Sequence, residues 1–496
     1  MASVPPLDAI VVGSGPNGLA AAVTLARAGL DVEVLEAEDT PGGGSRTLEL
    51  GLAPGLVHDI CSAVHPMAAA SPFLRRFDLA SRGVELRSPA ASYAHPLEHG
   101  PAAIAWRDLD RTAEGLGSDG NAWRRLFAPL LPHVDPLMEL VLSDKRSLPP
   151  GLLSPAGAAT ATRLGVRSLL QGTRAWSWPL RTPQARALLA GVSAHGIAAL
   201  PSLSAGGIAI VLAALAHAEG WPIPVGGSGA ITDALLRDLR EHGGRIRLGT
   251  RVRTATDLPP ARALLLDTST PVAARILADR LSPPLVDRLR RVRRVGAAAK
   301  VDFVLRGPIP WRDPDVGRAG TVHLGGPREE MVRAERRMAA GRSSEHPLVL
   351  VSDPTVVDPA REVSGLRPVW AYAHVPFDDP RDPVETVSGQ IERFAPGFRD
   401  QVVAARGIPA AQMDRHDENL HGGDIALGAM TVPRLLSGAL GGADPYRLGD
   451  SNAWLCSSAT PPAPGVHGMS GWWAARRVLR ARFGITRMPD LGPEAG

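Results

Sequence analysis

The chain has 496 residues, which is too long for one ordinary hydrophobic core, so roughly two or three subdomains are expected. Hydrophobic residues make up 44% of the chain and charged residues 21%, a balance typical of globular proteins. The net charge of +4 is small for this length, and arginines alternate with acidic residues. We therefore predict no nucleic-acid partner, and peripheral contact with an anionic membrane surface stays open.

The two cysteines, Cys61 and Cys456, lie far apart and form no redox pair, zinc spacing or disulfide framework. We therefore predict two reduced thiols and no metal site. The first strand-like run begins too close to the N-terminus to leave room for a signal peptide, and the longest apolar stretch, 205–216, is too short to cross a bilayer. These features predict a cytoplasmic protein that is soluble or peripheral to a membrane.

Residues 8–37 predict a dinucleotide-binding unit. An apolar run at 9–12 is typical of a buried parallel strand, and an alanine-rich helix and a second strand at 32–35 follow it. Glycines in GxGxxG spacing lie between the first strand and the start of the helix. Gly13 allows the tight turn, Gly15 lets a pyrophosphate approach the backbone, and Gly18 lets the helix pack on the strand. The helix N-terminus then binds the phosphates.

An acid and a glycine loop follow this unit. Glu36 ends the second strand, where a carboxylate accepts hydrogen bonds from a ribose diol and repels a 2′-phosphate, which argues against NADP. The loop at 42–46 ends in Arg46 and can wrap the pyrophosphate from the side opposite the helix. An ordinary glycine turn with a solvated arginine is the alternative.

The predicted fold class is α/β, with a discontinuous Rossmann-type domain, an antiparallel-sheet substrate domain and a helical cap. In chain order we predict helices at about 130–142, 188–199, 230–242 and 469–483, and strands at 245–248, 251–254, 263–266, 292–305, 348–351, 369–375 and 453–455. The nucleotide-binding domain comprises 1–75, 219–290 and 421–486, the substrate domain 76–110 and 291–420, the cap 111–218, and a flexible tail 487–496.

The last predicted helix begins directly after the glycines of residues 465–468. Backbone amides at such a helix start stabilise negative charge, including the charge that a reduced flavin carries. A glycine N-cap on a surface helix is the alternative. His467 in this loop is interpreted as a structural histidine, and the catalytic residues remain unassigned.

Several segments resemble the FAD-dependent phytoene desaturase-like oxidoreductases, in particular the group of pyridine nucleotide-disulfide oxidoreductase domain-containing protein 2. They are the opening glycine unit, the loop at 42–46, PVGGSGAITDAL, HDICSAVHPM, ENLHGGDIALGA and CSSATPPAPGVHGMSG. The resemblance implies FAD as the cofactor. It implies pyrophosphate contacts from Gly13, Ser14, Gly15, Pro16, Gly18, Gly43 and Arg46, a ribose contact from Glu36, an adenine contact from Val252, and contacts to the isoalloxazine edge from Gly468 and Met469.

The sequence contains no second glycine unit flanked by strands, so a separate NAD(P)H site is not expected. An oxidase or desaturase that passes electrons to oxygen or quinone fits better than a monooxygenase. We hypothesise hydride transfer to flavin N5 from a C–H bond of a hydrophobic, isoprenoid- or carotenoid-like small molecule, a step that needs no dedicated protein acid or base. The oligomeric state stays open.

Two alternatives remain. An amine oxidase needs an aromatic cage beside the flavin, for which Trp454, Trp472 and Trp473 are available. A flavin-binding protein with a structural or interaction role would hold FAD without turnover.

Overall fold

The computed structural model describes residues 6–147, 154–462 and 464–493. Residues 1–5 of the predicted first segment, 148–153 of the predicted cap, 463 of the predicted C-terminal segment and 494–496 of the predicted tail lie outside these ranges. The strands are β1 Leu7–Val12, β2 Val32–Leu35, β3 Thr47–Glu49, β4 Val57–Asp59, β5 Leu86–Arg87, β6 Ala91–His95, β7 Ala103–Trp106, β8 Ile223–Pro224, β9 Arg245–Arg247, β10 Ala261–Leu266, β11 Ala297–Leu305, β12 Val322–Leu324, β13 Val349–Ser352, β14 Arg367–Val375, β15 Val402–Ile408 and β16 Ala453–Leu455.

Helices cover both sheets of the molecule. They are α1 Pro16–Arg27, α2 Pro66–Ala69, α3 Pro72–Phe77, α4 Leu109–Gly115, α5 Gly120–Phe127, α6 Val134–Val141, α7 Pro155–Gly172, α8 Pro183–Ser193, α9 Leu203–Ala218, α10 Gly229–Glu241, α11 Thr270–Ile276, α12 Pro283–Arg290, α13 Arg328–Ala339, α14 Val384–Phe394, α15 Phe398–Gln401, α16 Val432–Ser437 and α17 Met469–Phe483. In the part of the chain that is described, no helix is both long and apolar enough to cross a membrane.

A five-stranded parallel sheet in the order β16-β10-β1-β2-β9 forms the centre of the predicted nucleotide domain. Its inner strands are apolar because both of their faces are covered, by α1, α10 and α17 on one side and by α11 and α12 on the other. Residues from three distant parts of the sequence therefore meet in one sheet. The predicted strands at 32–35, 263–266 and 453–455 and the predicted helix at 469–483 are confirmed.

The predicted strand at 251–254 is wrong. Thr254 instead begins a capping box, in which Asp257 accepts hydrogen bonds from the backbone N–H groups of Arg253 and Thr254. These local bonds occupy donors that a sheet ladder would need. Val252 is nevertheless buried in the segment before this turn.

The second sheet has seven strands in the order β15-β11-β14-β13-β12-β6-β7. Its pairs are antiparallel, as predicted, except for the parallel contact between β12 and β6. One face packs against α14 and contributes to an apolar core. The other face points toward helices α8 and α9.

The helices between β7 and β8 cover that second face. The predicted helix at 188–199 is shifted, since α8 spans Pro183–Ser193. Thr182 caps the start of α8 by accepting a hydrogen bond from the backbone N–H of Ala185, and Pro183 is the first helical residue. The predicted helix at 130–142 begins four residues late, at Val134, because a 3₁₀ turn precedes it.

Candidate functional site

One large cavity connects the parallel sheet, the cap and the second sheet. Its volume is about 900 Å³. At one end it is lined by the turn after β1, the end of β2 and the loop before β3, and at the other by residues of α7, α9, β13 and β14. It lies at the carboxyl ends of the parallel strands, where ligands bind in open α/β sheets.

The turn after β1 is shaped for a ligand to approach the backbone. Gly13 adopts φ +97, and a Cβ there would lie 2.8 Å from the carbonyl oxygen of Asp267. A Cβ on Gly15, the N-cap of α1, would lie 2.6 Å from Oδ2 of Asp267. Pro16 follows as the first helical residue and has no N–H group of its own to satisfy. This glycine cradle at a helix N-terminus fits a pyrophosphate.

The carboxylate of Glu36 lies at the end of β2 beside this turn. It accepts a hydrogen bond from the backbone N–H of Ser14 at 2.9 Å and from that of Glu38 at 3.0 Å. The side chain is buried and lines the cavity. An anionic acceptor at this position fits a ribose diol.

The glycine loop packs against the turn from the opposite side. A Cβ on Gly43 would lie 3.0 Å from Cα of Gly15, so the two backbones are in contact. Arg46 is only 6% exposed and donates hydrogen bonds to the carbonyl oxygens of Gly43 and His416. The alternative of a solvated arginine is therefore excluded.

Most of the residues predicted to contact FAD line the cavity. They are Gly13, Ser14, Gly15, Pro16, Glu36, Gly43, Arg46 and Val252. Gly18 lies beneath the turn, where its backbone N–H donates to Oδ2 of Asp267 at 2.8 Å. Gly468 and Met469 lie behind the cavity wall, because Gly468 packs against Phe73 and the preceding loop, Pro464 to Val466, forms the wall.

The histidine and tryptophans of the C-terminal region have structural surroundings. The backbone N–H of Met469 donates to Nδ1 of His467, which agrees with the structural interpretation of this histidine. Trp454 and Trp472 are buried in the core around α1 and α17, and Trp473 packs against that core. The aromatic side chains that line the cavity are instead Trp221, Trp370 and Tyr372.

Asp267 is a site residue that sequence reasoning did not single out. It is the first residue after β10, so the carboxyl edge of a predicted parallel strand was the available signal. Burial raises the pKa of Asp267 to about 7; the hydrogen bond from Gly18 opposes this shift, and the nearby carboxylates of Asp417 and Glu36 add to it. A carboxyl group that titrates near neutrality therefore lies under the phosphate cradle.

Asp267→Asn is expected to flatten the pH dependence of FAD affinity. In the parent protein, Asp267 ionises as the pH rises through about 7 and places a negative charge beside the pyrophosphate position. FAD affinity should then fall by up to about tenfold per pH unit between roughly pH 6 and 8. The raised pKa likewise means that this group's contribution to apoprotein stability is lost as the pH rises through that value. Titration of the apoprotein with FAD measures the slope.

The control is Asp233→Asn, which changes an exposed aspartate on α10 and should keep the parent slope. Identical slopes in the parent and Asp267→Asn proteins would contradict the assignment.

Comparisons with known proteins agree with this geometry. A family profile described as "Flavin containing amine oxidoreductase" matches residues 17–367. Pyridine nucleotide-disulfide oxidoreductase domain-containing protein 2 of Rattus norvegicus is 23% identical, over 96% of this chain and 94% of its own. Phytoene dehydrogenase of Streptomyces griseus is 26% identical over 98% of each chain. Cyclohexylamine oxidase from Brevibacterium oxydans has a similar fold, with a TM-score of 0.56 at 15% identity over 96% of this chain and 98% of that one.

Proposed function

The chain belongs to the flavin-containing amine oxidoreductase family and is an FAD-dependent oxidoreductase, and from this premise we propose that it is a dehydrogenase or desaturase of a small hydrophobic substrate. The observation that carries the proposal is a continuous cavity that joins the glycine turn to a mainly apolar chamber between the cap and the second sheet. Such a cavity lets one chain hold a dinucleotide and an apolar molecule end to end.

The proposed contacts with FAD differ for each part of the cofactor. The α1 N-terminus and Arg46 would hold the pyrophosphate, Glu36 the ribose, and Val252 the adenine. The loop from Pro464 to Val466 would lie at the isoalloxazine end. Once bound, FAD supplies a hydride acceptor.

Toward the substrate, the chain supplies an apolar enclosure. Leu164, Ile208, Val211 and Leu212 line the cavity from the cap, and Leu350 lines it from the sheet. These side chains exclude water and orient an apolar molecule, as hydride transfer to a flavin requires. Oxygen or quinone is the proposed final electron acceptor, and an isoprenoid-like substrate is supported by the likeness to phytoene dehydrogenase.

The cavity mouth is apolar as well. Leu203, Val432 and Leu436 line the cavity and are 43%, 37% and 49% exposed. An apolar rim of this kind would admit a lipid-soluble substrate, and it supports peripheral membrane contact of a protein that we propose to be cytoplasmic.

An amine oxidase is the second candidate. The rings of Trp370 and Tyr372 both line the cavity, with centroids 5.1 Å apart and planes at 78°. Such a pair fits a cationic amine in the part of the cavity between the cap and the second sheet. The family match is compatible with either activity.

Anaerobic mixing of the FAD-loaded protein with candidate substrates separates these functions. Bleaching of the flavin absorbance by isoprenoids, with an oxidised product and recovery in the presence of quinone or air, is the expected result. Bleaching by amines, with peroxide release in air, would establish the second candidate instead. A flavin that light cannot reduce, or air cannot reoxidise, would favour a structural role for FAD.

A further inference from the structure

A histidine of the cavity wall has one ring nitrogen bound by the protein and the other open to the cavity. His65 lies just before α2, is 3% exposed and lines the cavity. Its Nε2 lies 2.7 Å from Oγ of Ser228, at the start of α10. Its Nδ1 has no hydrogen-bond partner among the residues that the structure describes. Unlike the unpaired Nδ1 atoms of His58 and His95, which are sealed within the protein, it keeps accessible surface.

The hydrogen bonds of Ser228 fix the tautomer of this histidine. Oγ of Ser228 donates its one proton to the carbonyl oxygen of Ser62 at 2.6 Å, since a carbonyl can only accept. The same hydroxyl oxygen must then accept from Nε2 of His65, so the ring is protonated at Nε2 and carries a lone pair at Nδ1. The backbone N–H of Ser228 donates to Asp59, which holds the serine in place.

Burial keeps the ring neutral. It lowers the pKa of His65 to about 4, and the nearby carboxylate of Asp59 opposes this shift. The lone pair at Nδ1 is therefore available at neutral pH. When Nδ1 takes up a proton, the carboxylate of Asp59 favours the positive charge that the ring acquires.

His65 lies between the loop proposed for the isoalloxazine end and the mainly apolar chamber. Met67, two residues further on, approaches this loop, because a Cβ on Gly465 would lie 3.7 Å from Cγ of Met67. On the chamber side, the backbone N–H of His65 donates to the carbonyl oxygen of Pro222, next to Trp221, which lines the cavity. A substrate in the chamber with its reacting end toward the loop would therefore meet Nδ1 of His65.

The other histidine that lines the cavity has no fixed tautomer. Nε2 of His195 lies 2.8 Å from Nε2 of His323, and either ring can be the donor. The position of the lone pair on His195 is thus not determined by its partner, whereas that on His65 is.

Formation of a double bond releases a proton as well as a hydride. In the proposed reaction, one C–H bond of the substrate breaks and its hydrogen leaves with both electrons to FAD. The neighbouring atom then loses a proton, and the electron pair of that bond becomes the second bond of the product. Hydride transfer alone needs no protein base, but this proton needs an acceptor. Loss of the hydride makes the neighbouring proton acidic enough for a weak base.

We propose that His65 is a catalytic base, whose Nδ1 accepts the proton that the substrate loses as its hydride passes to FAD. This inference rests on the proposed function and adds to it the residue that takes the proton. The lone pair at Nδ1 becomes the new N–H bond, and the ring becomes an imidazolium. The proton leaves a carbon when the product is an alkene and an oxygen when an alcohol becomes a carbonyl.

An alkylating probe tests the open lone pair without turnover. Geranyl bromide is apolar like the chamber, and attack by Nδ1 forms a C–N bond as the C–Br bond breaks and bromide leaves. We expect peptide mapping by mass spectrometry to find the geranyl group on His65, and to find that position unlabelled in His65→Gln. Cys61 also lines the cavity, but burial raises the pKa of its thiol to about 12 and so keeps it a poor nucleophile.

The rate of flavin reduction tests the base itself. Phytoene, which would lose the proton from carbon, and geraniol, which would lose it from oxygen, are each mixed anaerobically with the FAD-loaded protein. His65→Gln keeps an N–H group that can donate to Ser228 but has no basic lone pair. For a probe that bleaches the parent, the rate should fall at least about 100-fold in His65→Gln, while FAD content stays that of the parent.

His58→Gln is the matched control. His58 is also buried, also has a lowered pKa and is also held through Nε2, by the carbonyl oxygen of Phe303, but it does not line the cavity. It should keep the parent rate of flavin reduction. Alkylation that spares His65, a parent rate in His65→Gln, equal losses in the two variants, or a loss confined to His195→Gln would each overturn the inference. Failure of both probes to bleach the parent would count against the proposed function, and it is distinguishable because alkylation of His65 requires neither FAD nor turnover.

Discussion

Replacing Gly15 by valine is expected to abolish FAD retention, with a loss of affinity of at least about 1000-fold. The first added carbon would lie 2.6 Å from Oδ2 of Asp267, and the methyl groups would project over the N-terminus of α1. There they would displace the pyrophosphate from the backbone amides. Losing two or three hydrogen bonds to a charged group, each contributing about 1.5–3 kcal/mol, accounts for this magnitude.

The measurement is FAD content after gel filtration, together with the dissociation constant from titration of the apoprotein. Gly115→Val is the control, because Gly115 is exposed on α4 and nothing beyond the adjacent residues and backbone of that helix lies within 4 Å of its added Cβ. It should retain FAD like the parent. Normal FAD content in Gly15→Val would show that the pyrophosphate binds elsewhere.

The nucleotide-binding unit was predictable because its signals are local. An apolar run, a glycine turn and an alanine-rich helix each follow from neighbouring residues, and the predicted strand at 32–35 has the observed bounds. The helix Met469–Phe483 was predictable for the same reason, because Gly468 in a left-handed conformation begins it and Gly484 ends it. Local backbone preferences fix such boundaries.

Contacts between distant segments were not predictable in the same way. The burial of Arg46 depends on the carbonyl oxygen of His416, and the pKa of Asp267 depends on α1 packing over β10. Which residues of the second sheet share the face toward the cap depends on the register of β12, β13 and β14, and no single strand reveals that register. Sequence patterning indicated an antiparallel sheet here but could not show which polar residues share a face.

The start of α17 shows the difference between predicting a local element and predicting a contact between distant segments. The resemblance placed Gly468 and Met469 at the isoalloxazine edge, and both do lie at the start of α17. The segment that borders the cavity is nevertheless the loop before this helix. Gly468 itself is covered, because Phe73 of α3 packs against it. Packing from a distant helix thus determines which backbone borders the cavity.

Gly471→Ala is expected to destabilise the protein by about 3 kcal/mol or more, since overpacking against rigid backbone lies at the upper end of such effects. Gly471 lies in the first turn of α17, where this helix crosses α1. Its added Cβ would lie 1.8 Å from the carbonyl oxygen of Asn17 and 3.0 Å from the backbone nitrogen of Ala21. No flexible side chain can move aside, so one helix must shift.

That shift should also reach the cofactor, because the displaced part of α1 is the turn that begins at Gly15 and Pro16. Urea unfolding and FAD titration measure the two effects together, with Gly115→Ala as the control. Gly115 has open space around its added Cβ, so alanine there should be neutral or stabilise α4 by up to about 1 kcal/mol. If Gly471→Ala matched this control in both measurements, the close crossing of α1 and α17 would not be what positions the phosphate cradle. A loss of stability together with FAD affinity would show that the final helix holds the first one in place for the cofactor.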